Sequence, residues 1–132
     1  MIAVDANVVV YASLPGPFLE LAFRVRARDP FWVAPALWRS ELRNALIKNV
    51  RHRGVKLEAA LETAAKAEEW IAQTYQVSSS EILDLSNASG RNAYDCEYVA
   101  LARALHIPLV TADRALVGSF PQICVFLEAF AA

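Results

Sequence analysis

Two short apolar runs in this sequence each end on an acid. Residues 2–4 lead directly into Asp5, and the run "IPLVT" at residues 107–111 is followed two positions later by Asp113. Short apolar runs separated by segments of helical periodicity are typical of buried parallel strands. Because strands and helices alternate along the chain, we predict an α/β fold, a three-layer α/β/α sandwich with a short parallel sheet.

The intervening segments have patterns of their own. Besides the two acid-ended runs, we predict strands at residues 31–35 and 77–79 and a last strand or edge segment at 122–126, with a short turn at 113–118. Apolar residues at helical spacing predict helices over residues 7–13, from 17 onward, over 36–53, 57–75 and 81–89, and from 92 to 107. No repeat or linker divides the chain, so we expect one domain over residues 1–132.

Composition limits the classes of protein to which the chain can belong. Hydrophobic residues make up 56% and charged residues 20% of the 132 residues, which is enough to bury a core without disulfides. Cys96 and Cys124 lack ligand-like spacing, so we interpret them as reduced packing residues in a cytoplasmic, soluble protein. No stretch is long enough to span a bilayer, and we expect no membrane partner.

The formal net charge is −1, so any attraction to nucleic acid depends on a local basic patch. The basic stretch "RSELRNALIKNVRHRGVK" provides four candidate RNA contacts, although a solvated helix face is the default interpretation of such a run. These candidates are Arg39, Arg43, Arg51 and Arg53.

Four acids are predicted to meet at one edge of the sheet. Sites in open parallel sheets form beyond the carboxyl ends of the strands, where Asp5 and Asp113 become adjacent if their strands are neighbours. On a helix, Glu41 falls roughly 60° from Trp38, at the border of the apolar stripe, so it is expected to point toward the sheet. Asp95 has a similar border position in the first turn of its helix.

Each acid also has a purely structural explanation, because helix caps and turns use acids often. These explanations are N-capping for Asp5 and Asp113, pairing with Arg39 or Arg43 for Glu41, and a capping box of Asn92 with Asp95. Four crowded carboxylates with no lysine nearby would nevertheless repel one another unless a cation neutralised them.

Oxygen ligands without a histidine or cysteine cluster suit Mg²⁺, with Mn²⁺ as the alternative, and argue against zinc. No serine or cysteine is flanked by a base, so the favoured chemistry is attack on a phosphodiester by water activated at the metal. Asn7 and Thr111 are candidates to orient the acids or a water molecule, although both are also ordinary turn residues.

The motifs "IAVDAN", "LWRSELRNAL", "NAYDCEYVALARAL" and "IPLVTADRAL", in this order, resemble those of the PIN-domain ribonucleases, and among these the VapC-type toxins of toxin–antitoxin pairs. The resemblance implies Mg²⁺-dependent endonuclease cleavage of RNA by a homodimer held by a cognate antitoxin. It places Asp5, Glu41, Asp95 and Asp113 at the family's metal-binding acids and leaves the role of Glu97 open. An apolar surface for the antitoxin or the second subunit is expected around Phe18, Leu19, Phe23 and Trp32.

Two rival interpretations use other functions of a similar fold. A signalling receiver has an acidic metal pocket but needs a lysine after a late strand, where this chain has Arg114. A non-catalytic RNA-binding or protein-interaction module is the stronger rival, because basic helix faces with aromatic neighbours bind RNA without cutting it. We assign Trp32, Trp38 and Trp70 to packing rather than to base stacking.

Overall fold

The computed structural model describes residues 1–132, which form five strands and eight helices. The strands are β1 (Ile2–Val4), β2 (Trp32–Pro35), β3 (Ile71–Tyr75), β4 (Leu109–Thr111) and β5 (Cys124–Phe126). The helices are α1 (Ala6–Ser13), α2 (Leu19–Arg28), α3 (Trp38–His52), α4 (Leu57–Trp70), α5 (Ser79–Ser89), α6 (Ala93–Leu105), α7 (Arg114–Ser119) and α8 (Leu127–Ala131). None of these helices combines the length and the apolar character that crossing a membrane requires.

The strands form one parallel sheet in the order β3-β2-β1-β4-β5. Ala3 lies opposite Leu109 and Val4 opposite Val110, so β1 and β4 are neighbours, which is the condition under which Asp5 and Asp113 become adjacent. Strand order reverses at β1, which is the position where parallel sheets place their sites. The residues that follow β1 and β4 therefore share one edge of the sheet.

Helices flank this sheet in two groups. Helix α1 packs against α2, α3 and α4, whereas α6 lies across β1, β2 and β4 and packs against α5. The strand residues of β1 and β4 are buried between these layers, and all of them except Thr111 belong to one cluster of 32 buried hydrophobic side chains. This arrangement confirms the predicted α/β/α fold class.

Two tryptophans belong to the core, as predicted. Trp32 and Trp38 are almost completely buried, and Trp32 meets the ring of Trp70 edge-on at 6.2 Å. The prediction that Trp32 belongs to an exposed apolar surface is therefore wrong. Phe18 is also half-buried, with its ring 4.8 Å from that of Tyr11, so only Phe23 of the large side chains there is well exposed.

The region from 57 to 79 differs from its prediction. The helix predicted over residues 57–75 ends at Trp70, and residues 71–75 form β3, whereas the predicted strand at 77–79 is loop and the start of α5. Ile71–Tyr75 pairs with β2, which supplies the hydrogen bonds that the helix would otherwise have made. The predicted turn at 113–118 is the short helix α7, and α8 was not predicted.

Candidate active site

Asp5 follows β1 directly and caps α1. Its Oδ1 accepts a hydrogen bond from the backbone N–H of Val8 at 3.0 Å, and its Oδ2 accepts one from the hydroxyl of Thr111. The capping explanation for Asp5 is thus confirmed. Thr111, which is completely buried, also orients the carboxylate as a supporting residue should.

Asp113 has a parallel arrangement at the end of β4. Its Oδ1 caps α7 by accepting from the N–H of Leu116 at 3.1 Å, and its own N–H donates to the hydroxyl of Thr111 at 3.0 Å. The hydroxyl of one buried threonine therefore links the carboxylate of Asp5 to the backbone of Asp113. Each cap uses one carboxylate oxygen, which leaves the second oxygen for another partner.

Glu41 lies in the first turn of α3 and reaches across to α6. Its Oε1 accepts a hydrogen bond from the phenol of Tyr98 at 2.6 Å. Burial, and then this hydrogen bond, raise the pKa of Tyr98, so the phenol stays protonated and keeps donating. Burial raises the pKa of Glu97, and the negative charge of Glu41 raises it further. Sequence patterns did not identify Tyr98 as a partner of the site.

Of the capping box of Asn92 with Asp95, only the half in which Asn92 accepts is present. Asn92 caps the helix by accepting from the N–H of Asp95 at 2.8 Å, and the Asp95 side chain faces a cation instead. Nη2 of Arg91 is 3.7 Å from Oδ2 of Asp95 and 3.6 Å from Oδ2 of Asp113. Arg91 precedes Asp95 by four residues, but its role as a counter-charge was not predicted, because only lysines were considered as neutralising residues.

The carboxylates influence one another electrostatically. Burial raises the pKa of Asp5 from 3.8 to about 6, against the hydrogen bonds from Thr111 and Val8, and the charges of Glu41 and Asp113 raise it further. Burial also raises the pKa of Asp95, with Asp113 adding to the rise and Arg91 opposing it. This mutual effect is the repulsion expected of acids that share one crevice.

A cavity of about 810 Å³ opens onto this crevice and is lined by all four predicted acids. Lys48 and His52 also line it, seven and eleven residues after Glu41 on α3, which places them roughly 10 and 16 Å along the helix. Asn7, predicted to orient the acids or a water molecule, and Arg53, predicted to contact RNA, also line the cavity. Arg39, Arg43 and Arg51 do not, and Arg39 instead pairs with Glu68 at 3.7 Å.

The donor chemistry of the four acids fits a hard divalent cation, because every available ligand atom is oxygen. Their arrangement does not form a closed metal site, because no three acid, histidine or cysteine side chains are close enough together to hold an ion. Cys124 is no substitute ligand or nucleophile, because burial raises the pKa of its thiol to about 12. Both cysteines are free and buried, as predicted.

Comparison with known proteins agrees with this fold. The crystal structure of PAE2754 from Pyrobaculum aerophilum superposes with a TM-score of 0.79 at 22% identity, covering 98% of this chain and 92% of that one. Among curated proteins, no sequence matches this one significantly. The family model described as "PIN domain" matches residues 2–118. Because that match spans most of the sequence, the chain belongs to the PIN-domain family.

Proposed function

We propose that this protein is a divalent-metal-dependent endoribonuclease that uses Asp5, Glu41, Asp95 and Asp113. The observation that carries the proposal is the convergence of these four acids on one cavity at the switch point of the sheet. PIN domains are generally nucleases, which fits a hydrolase acting on phosphodiester bonds.

The residues around the acids divide the work of such a site. Thr111 and the N–H groups of Val8 and Leu116 fix the carboxylates of Asp5 and Asp113, and Tyr98 fixes Glu41. The four acids, Asp5, Glu41, Asp95 and Asp113, would hold Mg²⁺ or Mn²⁺. When bound, this ion would lower the pKa of water and offset the charge that develops on phosphate.

The charges along the cavity favour a polyanionic substrate. The acids occupy one part of the lining, whereas Lys48, His52 and Arg53 occupy another. A nucleic acid strand that places one phosphate at the acids brings neighbouring phosphates toward these basic side chains, since successive phosphates are several ångströms apart. Arg53 is the one predicted RNA contact that this path includes.

The finer assignment is to a toxin of a toxin–antitoxin pair, acting in the cytoplasm as a homodimer that a cognate antitoxin restrains. It is supported by the four ordered motifs that resemble VapC-type toxins and by exposed apolar side chains available for partners, among them Phe23, Leu57 and Leu61.

A non-catalytic RNA-binding module remains the second candidate function. Arg91 already neutralises part of the charge of Asp95 and Asp113, and the acids are not closed around an ion. A domain that only binds RNA would keep such an internal ion pair permanently.

Cleavage of RNA separates these functions. Purified protein is incubated with total cellular RNA in Mg²⁺, in Mn²⁺ or in chelator, and new RNA ends are mapped. We expect cleavage only with a divalent cation, and a loss of at least about 100-fold in Glu41→Gln and Asp113→Asn. Both substitutions keep the acceptor atoms used by Tyr98 and Leu116, so folding should persist.

Asp84→Asn is the matched control, because Asp84 is an exposed acid on α5 outside the cavity. It should cleave as the wild type does. Wild-type protein that binds RNA yet generates no ends with either metal would favour the binding module, and full activity of Glu41→Gln would remove Glu41 from the site.

A further inference from the structure

Arg91 is the one cation paired with acids of the site, and its backbone is firmly held. Its N–H donates to the hydroxyl of Ser89 at 3.1 Å, and its carbonyl accepts from the hydroxyl of Ser86 at 2.6 Å. Gly90, which precedes it, adopts a left-handed conformation with φ of 75° at the end of α5. The start of the Arg91 side chain is therefore fixed between α5 and α6.

The guanidinium is incompletely satisfied where it sits. Its contacts with Asp95 and Asp113 are 3.7 and 3.6 Å, longer than a charge-assisted hydrogen bond of about 2.7 to 2.9 Å. Nε of Arg91 is shielded from solvent and has no hydrogen-bond partner. An arginine that served only as structural support would be expected to form a bidentate pair with one carboxylate.

The same two carboxylates are among the four that would hold the metal. An oxygen that coordinates a divalent cation cannot also retain a full ion pair with a guanidinium on the same side, because the two positive charges repel each other. Arg91 pairing and metal binding therefore oppose each other.

We propose that Arg91 is a built-in counter-cation that stabilises the metal-free acids and must leave Asp95 and Asp113 when a divalent cation binds. This inference rests on the proposed function, in that it takes the acids to be a metal site. Competition from Arg91 then limits how tightly the site binds the ion. The pairing with Arg91 also explains why the acids are not gathered around one point in the metal-free protein.

The test measures metal affinity and metal-free stability of Arg91→Gln, rather than activity. Calorimetric titration with Mn²⁺ and with Mg²⁺ should give a Kd lower by about fivefold or more than that of the wild type, since the competing cation is gone. In chelator the melting temperature of Arg91→Gln should fall, because the remaining acids repel one another. Arg91→Lys, which keeps the charge, should stay closer to the wild type in both measurements.

Two further variants make the result specific to this pair. Arg24→Gln removes an exposed arginine of α2 that has no acid partner, and should leave the Kd unchanged. In an Asp113→Asn background, the effect of Arg91→Gln on the Kd should shrink, because one of the two pairs is already absent.

Each outcome distinguishes this inference from the proposed function. Equal or weaker metal binding by Arg91→Gln overturns the role of Arg91 and leaves the metal site intact. Tighter metal binding by Arg91→Gln, combined with no RNA cleavage by the wild type, supports the role of Arg91 and counts against the proposed nuclease activity. Absence of metal binding in both the wild type and Arg91→Gln overturns both.

Discussion

At the scale of single residues, Asp5 combines two tasks that are often treated as alternatives. It caps α1 through Oδ1, and through Oδ2 it faces Thr111 at the shared edge of the sheet. Burial makes this carboxylate expensive to ionise, and its neighbours Glu41 and Asp113 add to that cost. The protein therefore retains an acid here that lowers its own metal-free stability at neutral pH.

The stability of the metal-free protein should depend on pH through Asp5. Its pKa rises from 3.8 to about 6 on folding, so the folded state binds this proton more tightly than the unfolded state does. The resulting stability is fully present below about pH 4 and is lost as the pH rises through about 6, with an upper limit of about 3 kcal/mol.

Asp5→Asn removes this dependence while keeping an oxygen that can cap α1. In chelator, urea unfolding should show the variant gaining on the wild type between about pH 4.5 and about pH 8. A difference between the two proteins that stays constant over this range would show that Asp5 does not carry the titration.

At the scale of elements, α4 and β3 show how a helical pattern can be extended too far. The chain contains no glycine or proline between Gly54 and Gly90, so no local signal ends the helix at Trp70. Ile71, Thr74 and Tyr75 favour a strand, but weakly by themselves. Pairing with β2, from Trp32 opposite Ile71 to Pro35 opposite Tyr75, determines their conformation.

The N-terminus of α6 is held by a cap that also positions Asp95. Asn92→Ala removes the acceptor for the N–H of Asp95 and should lower the free energy of unfolding by about 1 kcal/mol, as measured in urea. Asn87→Ala is the control, because Asn87 is exposed within α5 and makes no side-chain hydrogen bond; it should be neutral or slightly stabilising. Equal effects of the two variants would contradict the role of Asn92 as a cap.

At the scale of the whole molecule, acidic and basic side chains line different parts of one cavity, although the net charge of the protein is only −1. Acids from the ends of β1 and β4 meet Glu41 of α3, and the basic residues Lys48 and His52 follow on the same helix. A nearly neutral protein can thus present both the acids of a hydrolytic site and a local attraction for phosphates.

The proposed homodimer can be tested on the exposed apolar face of α4. Leu57 and Leu61 are 57% and 62% exposed and lie one turn apart, so they form a continuous strip that a partner would bury. Light scattering should give twice the chain mass of 14.5 kDa for the wild type and a shift toward monomer for Leu57→Gln/Leu61→Gln.

Leu83→Gln is the control for this experiment, because Leu83 is equally exposed but lies on α5. It should leave the mass unchanged. A wild-type protein that remains monomeric at all accessible concentrations would contradict the proposed dimer.

The sequence by itself determined the class of fold and predicted a set of acids that folding brings to one cavity. Periodicity separates strands from helices wherever an element has a turn residue or a sharp change of pattern at its ends, as around residues 2–4 and 107–111. The ordered motifs then predicted a site of four acids, and all four line the same cavity: Asp5, Glu41, Asp95 and Asp113.

Only the tertiary structure decided the partners of those acids and the end of α4. Tyr98 meets Glu41 across 57 positions of sequence and Thr111 meets Asp5 across 106, distances over which local patterns carry no information. Arg91 lies near Asp95 in sequence, but its approach to Asp113 depends on the packing of α6 beside β4. Hydrogen-bond and charge partners are chosen by what folding brings into reach, and that depends on the whole chain at once.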